Sequence, residues 1–148
     1  MGQYVAKSGR FPAANPAIPA LTWDCALEHE AQQWANRCVM QHSQNRKDEG
    51  ENLYTYASSD GVNMTGKAKA ASIAWEEEFQ KIGWPGVPLL TQQAFNMQIG
   101  HATQMAWAKT TKLGCGIATN CRGGKMALVV CRYKSAGNVF NQKAYQPR

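Results

Sequence analysis

Apolar residues near the start of the chain recur at the three- and four-residue spacing of an amphipathic helix. They are Leu27, Ala31, Trp34, Ala35 and Cys38. Thr22 or Asp24 can cap this helix, and the stripe predicts about five turns that end near Gln41. The polar run 42–50 that follows is predicted to be a loop, and the loop is predicted to continue through Gly61.

A second apolar stripe predicts a helix over residues 67–82, and residues 91–107 predict a shorter helix that is interrupted near Gly100. Two further apolar runs, 112–119 and 125–133, read as strands joined by a glycine-containing hairpin turn. Helices that precede strands in this way predict an α+β protein in which helices cover a small antiparallel sheet.

The chain contains five cysteines, and their positions predict two disulfides. A hairpin centred on Gly123 places Cys115 opposite Cys131, and Cys38 at the end of the first helix is the best partner for Cys121 near the turn. Cys25 lies about 20 Å from Cys38 along a continuous helix, which is too far for a disulfide. Cys25 is therefore predicted to be the unpaired thiol, either buried or bridged to another molecule.

Composition narrows the class of protein. The 148 residues suit one domain, and the net charge of +6 contains no run of five like charges, which disfavours nucleic-acid binding. No stretch approaches the ~20 apolar residues of a membrane span. The first residues lack the apolar core of a signal peptide, so a secreted protein would be present here in its mature or recombinant form. Asn63-Met64-Thr65 forms an N-glycosylation sequon.

The three histidines are the first candidates for chemistry. His29 and Glu30 begin a zinc-protease helix motif, but Gln33 replaces its second histidine, so His29 is predicted to be an exposed helix residue. His42 and His101 lie at predicted element boundaries, where an imidazole can serve as a ligand, a base or a hydrogen-bonding group.

Two glutamates complete the candidate set. Glu51 precedes an apolar and aromatic run, which suggests partial burial. Glu78 borders the buried stripe of the second helix, whereas Glu76 and Glu77 turn towards water and would compete with it only if the helix register slipped. Two histidines and two glutamates could converge as a metal site or an acid–base cluster, and spacing alone leaves both open beside an ordinary structural role.

Four segments resemble, in chain order, motifs of the CAP superfamily (cysteine-rich secretory proteins, antigen 5 and pathogenesis-related 1). They are residues 34–43, 50–53, 100–107 and 128–138. Residues 22–28 and the alanine at position 102 are most similar to nematode activation-associated secreted proteins. The resemblance covers nearly the whole chain and implies one domain over residues 1–148.

The resemblance also implies a fold and a site. The fold is a three-layer α-β-α sandwich with the disulfide pairs already inferred. The site is a central cleft lined by His42, Glu51, Glu78 and His101, in which the two histidines can hold a divalent metal, usually zinc, that folding does not require. Ala102 replaces the usual aromatic residue and is expected to widen this cleft.

The implied function is that of a secreted protein that acts by binding a lipid, a sterol or a host protein, in parasite–host contact or defence. The alternative is a zinc-dependent protease or esterase that uses the same four residues. Two nitrogen ligands are fewer than the three protein ligands usual in catalytic zinc sites, and no nucleophile-elbow motif is present. Binding is therefore favoured over catalysis, and a hydrogen-bonded cluster that ties the helices to the sheet remains a third interpretation.

Overall fold

The structure, a computed structural model, describes residues 13–84 and 87–148. Its strands are β1 (Thr22–Trp23), β2 (Glu49–Ala57), β3 (Lys112–Cys121) and β4 (Met126–Lys134). Its helices are α1 (Cys25–Ala35), α2 (Lys67–Lys81), α3 (Gln92–Asn96) and α4 (Gly100–Met105). The α+β class predicted from the sequence is confirmed.

The four strands form one sheet in the order β1-β3-β4-β2. β4 runs antiparallel to both of its neighbours, and β1 pairs parallel with β3. Successive β4 side chains alternate between faces, so Leu128 and Val130 pack with α1 while Val129 and Cys131 pack with α2. Both faces of β4 are covered by helices, which gives the predicted three-layer sandwich and explains the continuous apolar run 126–131 in this strand.

Two glycines allow α1 to lie directly on β3. A Cβ added at Gly114 would stand 2.2 Å from the backbone nitrogen of Glu28, and one added at Gly116 would stand 2.3 Å from Cα of Gln32. At the same place the Gln32 side-chain amide donates to the Ile117 carbonyl at 2.8 Å and accepts from its N–H at 2.9 Å. Helix and strand are therefore closer than any other residue type at these positions would permit.

A separate apolar cluster joins the end of α2 to α3 and α4. Its buried members include Phe79, Trp84, Leu90, Ile99 and Trp107. This cluster fixes the start of α4, where His101 lies. Among the described residues, no helix has the length and apolarity needed to cross a membrane.

The first helix and the following strand correct the sequence predictions. α1 ends at Ala35 and not near Gln41, because the chain turns at Cys38, whose φ of +56° lies outside the helical region. The predicted loop through Gly61 is wrong, since β2 occupies residues 49–57 and pairs with β4 along its whole length. Polar residues in β2 break the apolar pattern by which a strand is predicted from sequence. β1 has only two residues, which is too short for such a pattern.

The cysteines pair as predicted. Cys115 lies directly across the hairpin from Cys131 and is bonded to it, and Cys38 is bonded to Cys121. Cys121 is the last residue of β3 and not part of the turn, because an irregularity after Ala118 shifts the register. Cys25 is unpaired and exposed, so its prediction as a buried thiol is wrong, and the intermolecular bridge stays a prediction.

Candidate functional site

A cavity of about 900 Å³ lies where the start of β2, the second half of α2, α4 and the 136–140 loop meet. All four predicted site residues line it: His42, Glu51, Glu78 and His101. They do not form one cluster of four. The structure instead builds two separate histidine–glutamate pairs at the same cavity.

The first pair joins the loop after α1 to β2. His42 donates from Nδ1 to Oε1 of Glu51 at 2.9 Å. The Glu51 side chain is fully buried, and it also accepts from the Ser43 N–H at 2.9 Å and the Ser43 hydroxyl at 2.6 Å. Arg46 approaches the same carboxylate at 3.3 Å. The donors His42, Ser43 and Arg46 lie within five consecutive residues, so this loop folds around the Glu51 carboxylate.

These contacts fix the charge of Glu51. Burial alone would raise the pKa of this carboxyl, because water solvates the ionised form better than the protein interior does. The hydrogen bonds from His42 and Ser43, together with the Arg46 guanidinium, outweigh burial and lower the pKa from 4.5 to about 2. Glu51 is therefore a buried anion at neutral pH, and it orients His42.

The second pair joins α2 to α4. His101 donates from Nδ1 to Oε1 of Glu78 at 2.6 Å, and the backbone N–H of Ala102 donates to the other oxygen at 3.0 Å. The Glu78 carboxylate thus accepts a ring proton and an N–H in the first turn of α4. Of the three consecutive glutamates, Glu78 is the one that the structure places against a histidine, as the predicted helix register required.

His101 is held on two further sides. Its ring stacks on Trp75, with ring centroids 5.9 Å apart and planes 10° from parallel. Trp75 is itself buried and donates to the Leu53 carbonyl at 3.1 Å. The His101 carbonyl accepts from Asn52 at 3.1 Å. The imidazole therefore has a fixed orientation before any ligand arrives.

The rest of the cavity is lined by the polar side chain of Gln104 and by an aromatic rim that consists of Phe95 and Phe140. Gln104 accepts from the Gly137 N–H at 2.9 Å, and a Cβ at Gly50 would stand 1.8 Å from its side-chain oxygen. Phe95 and Phe140 meet edge to face with centroids 5.4 Å apart, and both are more than two-fifths exposed. This rim offers apolar surface to a ligand close to the histidines.

Ala102 does not itself line the cavity. Its side chain is 1% exposed and packs in the apolar cluster with Trp107, so a wider cleft at this position stays a prediction. Its contribution to the site is its backbone N–H, which any non-proline residue would supply.

Arg132 stabilises the His42–Glu51 pair, and the sequence analysis did not identify it. It bonds to Glu30 at 2.7 Å and to the Ser43 hydroxyl at 2.9 Å, and its Nε lies 3.5 Å from Glu51. It also donates to Glu49 at 3.2 Å. Burial and the neighbouring charge of Glu30 raise the pKa of Glu49, and Arg132 opposes this rise.

A signal for this support was present in the sequence. Arg132 interrupts the apolar run 128–133, and a charge inside such a strand must find buried partners. Asn52 follows Glu51 directly and alternates to the other face of β2, where it reaches His101. Neither residue could be assigned to a partner without the fold.

The arrangement can orient two imidazole nitrogens. Because a carboxylate only accepts hydrogen bonds, Nδ1 of each ring carries the proton and Nε2 of the neutral ring keeps its lone pair. A histidine held by a carboxylate in this way is typical of metal ligands. Across residues 13–84 and 87–148, however, no three His, Cys, Asp or Glu side chains are grouped to hold a metal ion. The donor set fits an ion bound by two histidines, with its other positions left to water or a ligand.

The layers, disulfides and paired site define an α-β-α domain stabilised for an oxidising environment. The profile of the cysteine-rich secretory protein (CAP) family matches residues 10–133, and the chain belongs to this family. The family, the two disulfides and the secreted relatives indicate an extracellular protein.

Individual relatives agree with this assignment. The chain is 33% identical over 142 residues to venom allergen 5 of Brachyponera chinensis, covering 93% of this chain and 71% of the relative. It is 36% identical over 145 residues to the Ancylostoma secreted protein of Ancylostoma caninum, covering 95% of this chain and 33% of the relative. It thus spans only a third of the Ancylostoma protein.

Solved structures show the same domain. The structure of BmVAL-1 aligns with a TM-score of 0.91 at 38% identity, covering 99% of this chain and 74% of that one. The crystal structure of NaASP2 with Zn²⁺ aligns with a TM-score of 0.84 at 35% identity, covering 93% of this chain and 70% of that one. The predicted similarity to nematode-type secreted proteins is confirmed.

Proposed function

We propose that this protein acts outside the cell by binding, and that His42 and His101 hold a divalent ion such as zinc in the cavity. The observation that carries this proposal is the pairing of each Nδ1 with a carboxylate, at 2.9 Å and 2.6 Å. Both rings line one cavity, and their Nε2 atoms are the nitrogens left for a ligand. The zinc named with the NaASP2 structure belongs to that protein and supports the proposal by similarity.

The carboxylates favour binding over the alternative of a zinc-dependent hydrolase. A general base must take up a proton near the working pH, whereas the pKa of Glu51 is lowered to about 2. Both oxygens of Glu51 and both oxygens of Glu78 already accept hydrogen bonds from the protein. In this geometry the two glutamates act as positioning residues for the imidazoles.

The apolar part of the cavity supports a lipid or sterol as the second ligand. Phe95 of α3, Phe140 of the 136–140 loop and Ile82 at the end of α2 line it. A volume of about 900 Å³ lies within the range of small-molecule pockets, and the lining contains both these apolar side chains and the two polar histidines. A ligand with one polar end and an apolar body matches this combination.

The metal site is tested by calorimetric titration of zinc into metal-free protein. We expect wild type to bind zinc and His42→Ala/His101→Ala to lose at least tenfold in affinity, which is about 1.4 kcal/mol. The matched control is His29→Ala, which removes an exposed histidine bonded to Gln33 and should leave binding unchanged. Equal binding by all three proteins would refute the assignment of the ligands.

Two further measurements separate binding from catalysis. Peptide and ester substrates are assayed with zinc and with a chelator, and we expect no turnover above the level of the double variant. Cholesterol and palmitate are then titrated as separate probes into wild type and Phe95→Ala/Phe140→Ala, and we expect binding that this variant weakens. Zinc-dependent turnover would favour the hydrolase, and failure of both lipid probes would count against the lipid proposal.

A further inference from the structure

The sequon Asn63-Met64-Thr65 lies outside the site and is displayed on the surface of the fold. It occupies the connection between β2 and α2, and all three of its residues are exposed. The Asn63 side-chain oxygen accepts from the Thr65 N–H at 3.1 Å, which forms a local turn. Asn63 is exposed, and no residue of the described ranges bonds to its amide nitrogen, the atom that would carry a glycan.

The loop is fixed on both sides of the sequon. Before it, the Val62 N–H donates to the Gly124 carbonyl in the β3–β4 turn at 2.9 Å. After it, the Lys67 N–H donates to the Met64 carbonyl at 3.2 Å, and the Lys67 ammonium lies 3.6 Å from the centre of the Tyr56 ring. The connection is therefore anchored to the sheet at each end, while the sequon projects between the anchors.

We propose that Asn63 carries an N-linked glycan. In the reaction, the Asn63 amide nitrogen forms a bond to C1 of the first sugar of a polyprenyl-diphosphate oligosaccharide. The C1–O bond to the diphosphate breaks, the polyprenyl diphosphate leaves with the electron pair, and the amide loses one proton. The disulfides place the chain in the compartment where such donors are used.

The folded protein accommodates the glycan without rearrangement. A sugar on the amide nitrogen leaves the turn bond to Thr65 intact, because that bond uses the side-chain oxygen. Met64, which is 58% exposed, lies beside the attachment point, and the first sugars can cover part of its apolar surface. The glycan would therefore make the protein surface at this end of the sheet more polar.

The glycan would lie far from the metal and lipid site. The site begins at Glu49–Glu51, at one end of β2, and the sequon follows Ala57 at the other end. From Glu51 to Ala57 the extended strand rises by six residue steps, which is about 20 Å. We therefore expect glycosylation to leave zinc binding unchanged, so a failure of this proposal and a failure of the proposed function are distinguishable.

The test is secretion of the full chain from mammalian cells behind an added signal peptide. Intact mass and peptide mapping should show the mass of at least the pentasaccharide core on the peptide 48–67, and peptide N-glycosidase should remove it and convert Asn63 to Asp. Asn63→Gln and Thr65→Ala should lack this mass, and Thr65→Ser should keep part of it because the sequon survives.

Secreted wild type without a glycan at Asn63 would overturn the proposal, and this result needs no variant to fold. A mass increase that Asn63→Gln retains would also overturn it. Zinc titration of the glycosylated and the enzymatically deglycosylated protein should give the same affinity.

Discussion

Glu51 allows the sharpest test of how the site is built. Replacing it with glutamine keeps the shape of the side chain but removes the buried negative charge. The new amide group also presents two N–H donors to a pocket that already supplies donors from His42, Ser43 and Arg46. The buried Arg132, 3.5 Å away, would also lose one of its three carboxylate partners and keep only Glu30 and Glu49. We expect Glu51→Gln to destabilise the fold and to loosen the His42 loop.

The magnitude follows from the pKa. The pKa of Glu51 is about 2 in the folded protein against an ordinary value of 4.5, and a difference of 1 is worth about 1.4 kcal/mol. The ionised carboxylate thus contributes about 3 kcal/mol to the free energy of unfolding at pH 7. As the pH falls, the unfolded chain takes up a proton first, so this contribution decreases below pH 4.5 and is lost as the pH passes 2.

The assay is urea unfolding of wild type and Glu51→Gln at pH 7 and pH 3, with both disulfides oxidised. At pH 7 the variant should be less stable by about 3 kcal/mol or more. At pH 3 the gap should narrow by about 2 kcal/mol, because wild type has already lost most of the contribution of the carboxylate. The control Glu77→Gln removes an exposed ion pair to Lys81 and should cost less than about 1 kcal/mol. A gap for Glu51→Gln that is the same at both pH values would refute the reasoning.

Three further predictions concern the scaffold. Replacing Cys38 and Cys121 by alanine opens a link with a sequence separation of 83, and it should cost about 4–5 kcal/mol in urea unfolding, more than opening the hairpin disulfide with its separation of 16. Gly116→Ala forces a Cβ into the α1 backbone and should lower stability by about 3 kcal/mol or more; a thermal midpoint equal to that of wild type would contradict this close approach. Cys25 is exposed, so a maleimide should label one thiol per native chain, and Cys25→Ser should abolish the label.

Within the sheet, the register could be predicted only for the β3–β4 hairpin, where residues close together in sequence determine it. The glycines of the turn and the positions of Cys115 and Cys131 set the hairpin register, which the structure confirms. β2 was not predictable from its pattern, because Glu51 and Asn52 are buried polar residues whose partners come from distant parts of the chain. A strand of this kind is stabilised by tertiary contacts, and its own sequence resembles a loop.

The candidate site, like the sheet, was predictable only in part. The resemblance named His42, Glu51, Glu78 and His101, and the structure places all four at one cavity. Their division into two pairs could not be predicted, because it depends on which carboxylate the fold brings to each ring. The role of Arg132 depends on β4 lying beside β2, a pairing of residues about 80 apart in sequence.

The contact between Gln32 and Ile117 has a consequence for aggregation. β1 pairs with Lys112 and Leu113, and further along the same edge of β3 the Gln32 amide occupies both backbone groups of Ile117, as a neighbouring strand would. When α1 detaches, this edge becomes free to pair with a second chain, as open sheet edges do. The docking of one helix thus determines whether a partly unfolded molecule can start intermolecular β-structure, and Gln32→Leu should shorten the lag before aggregation in light scattering.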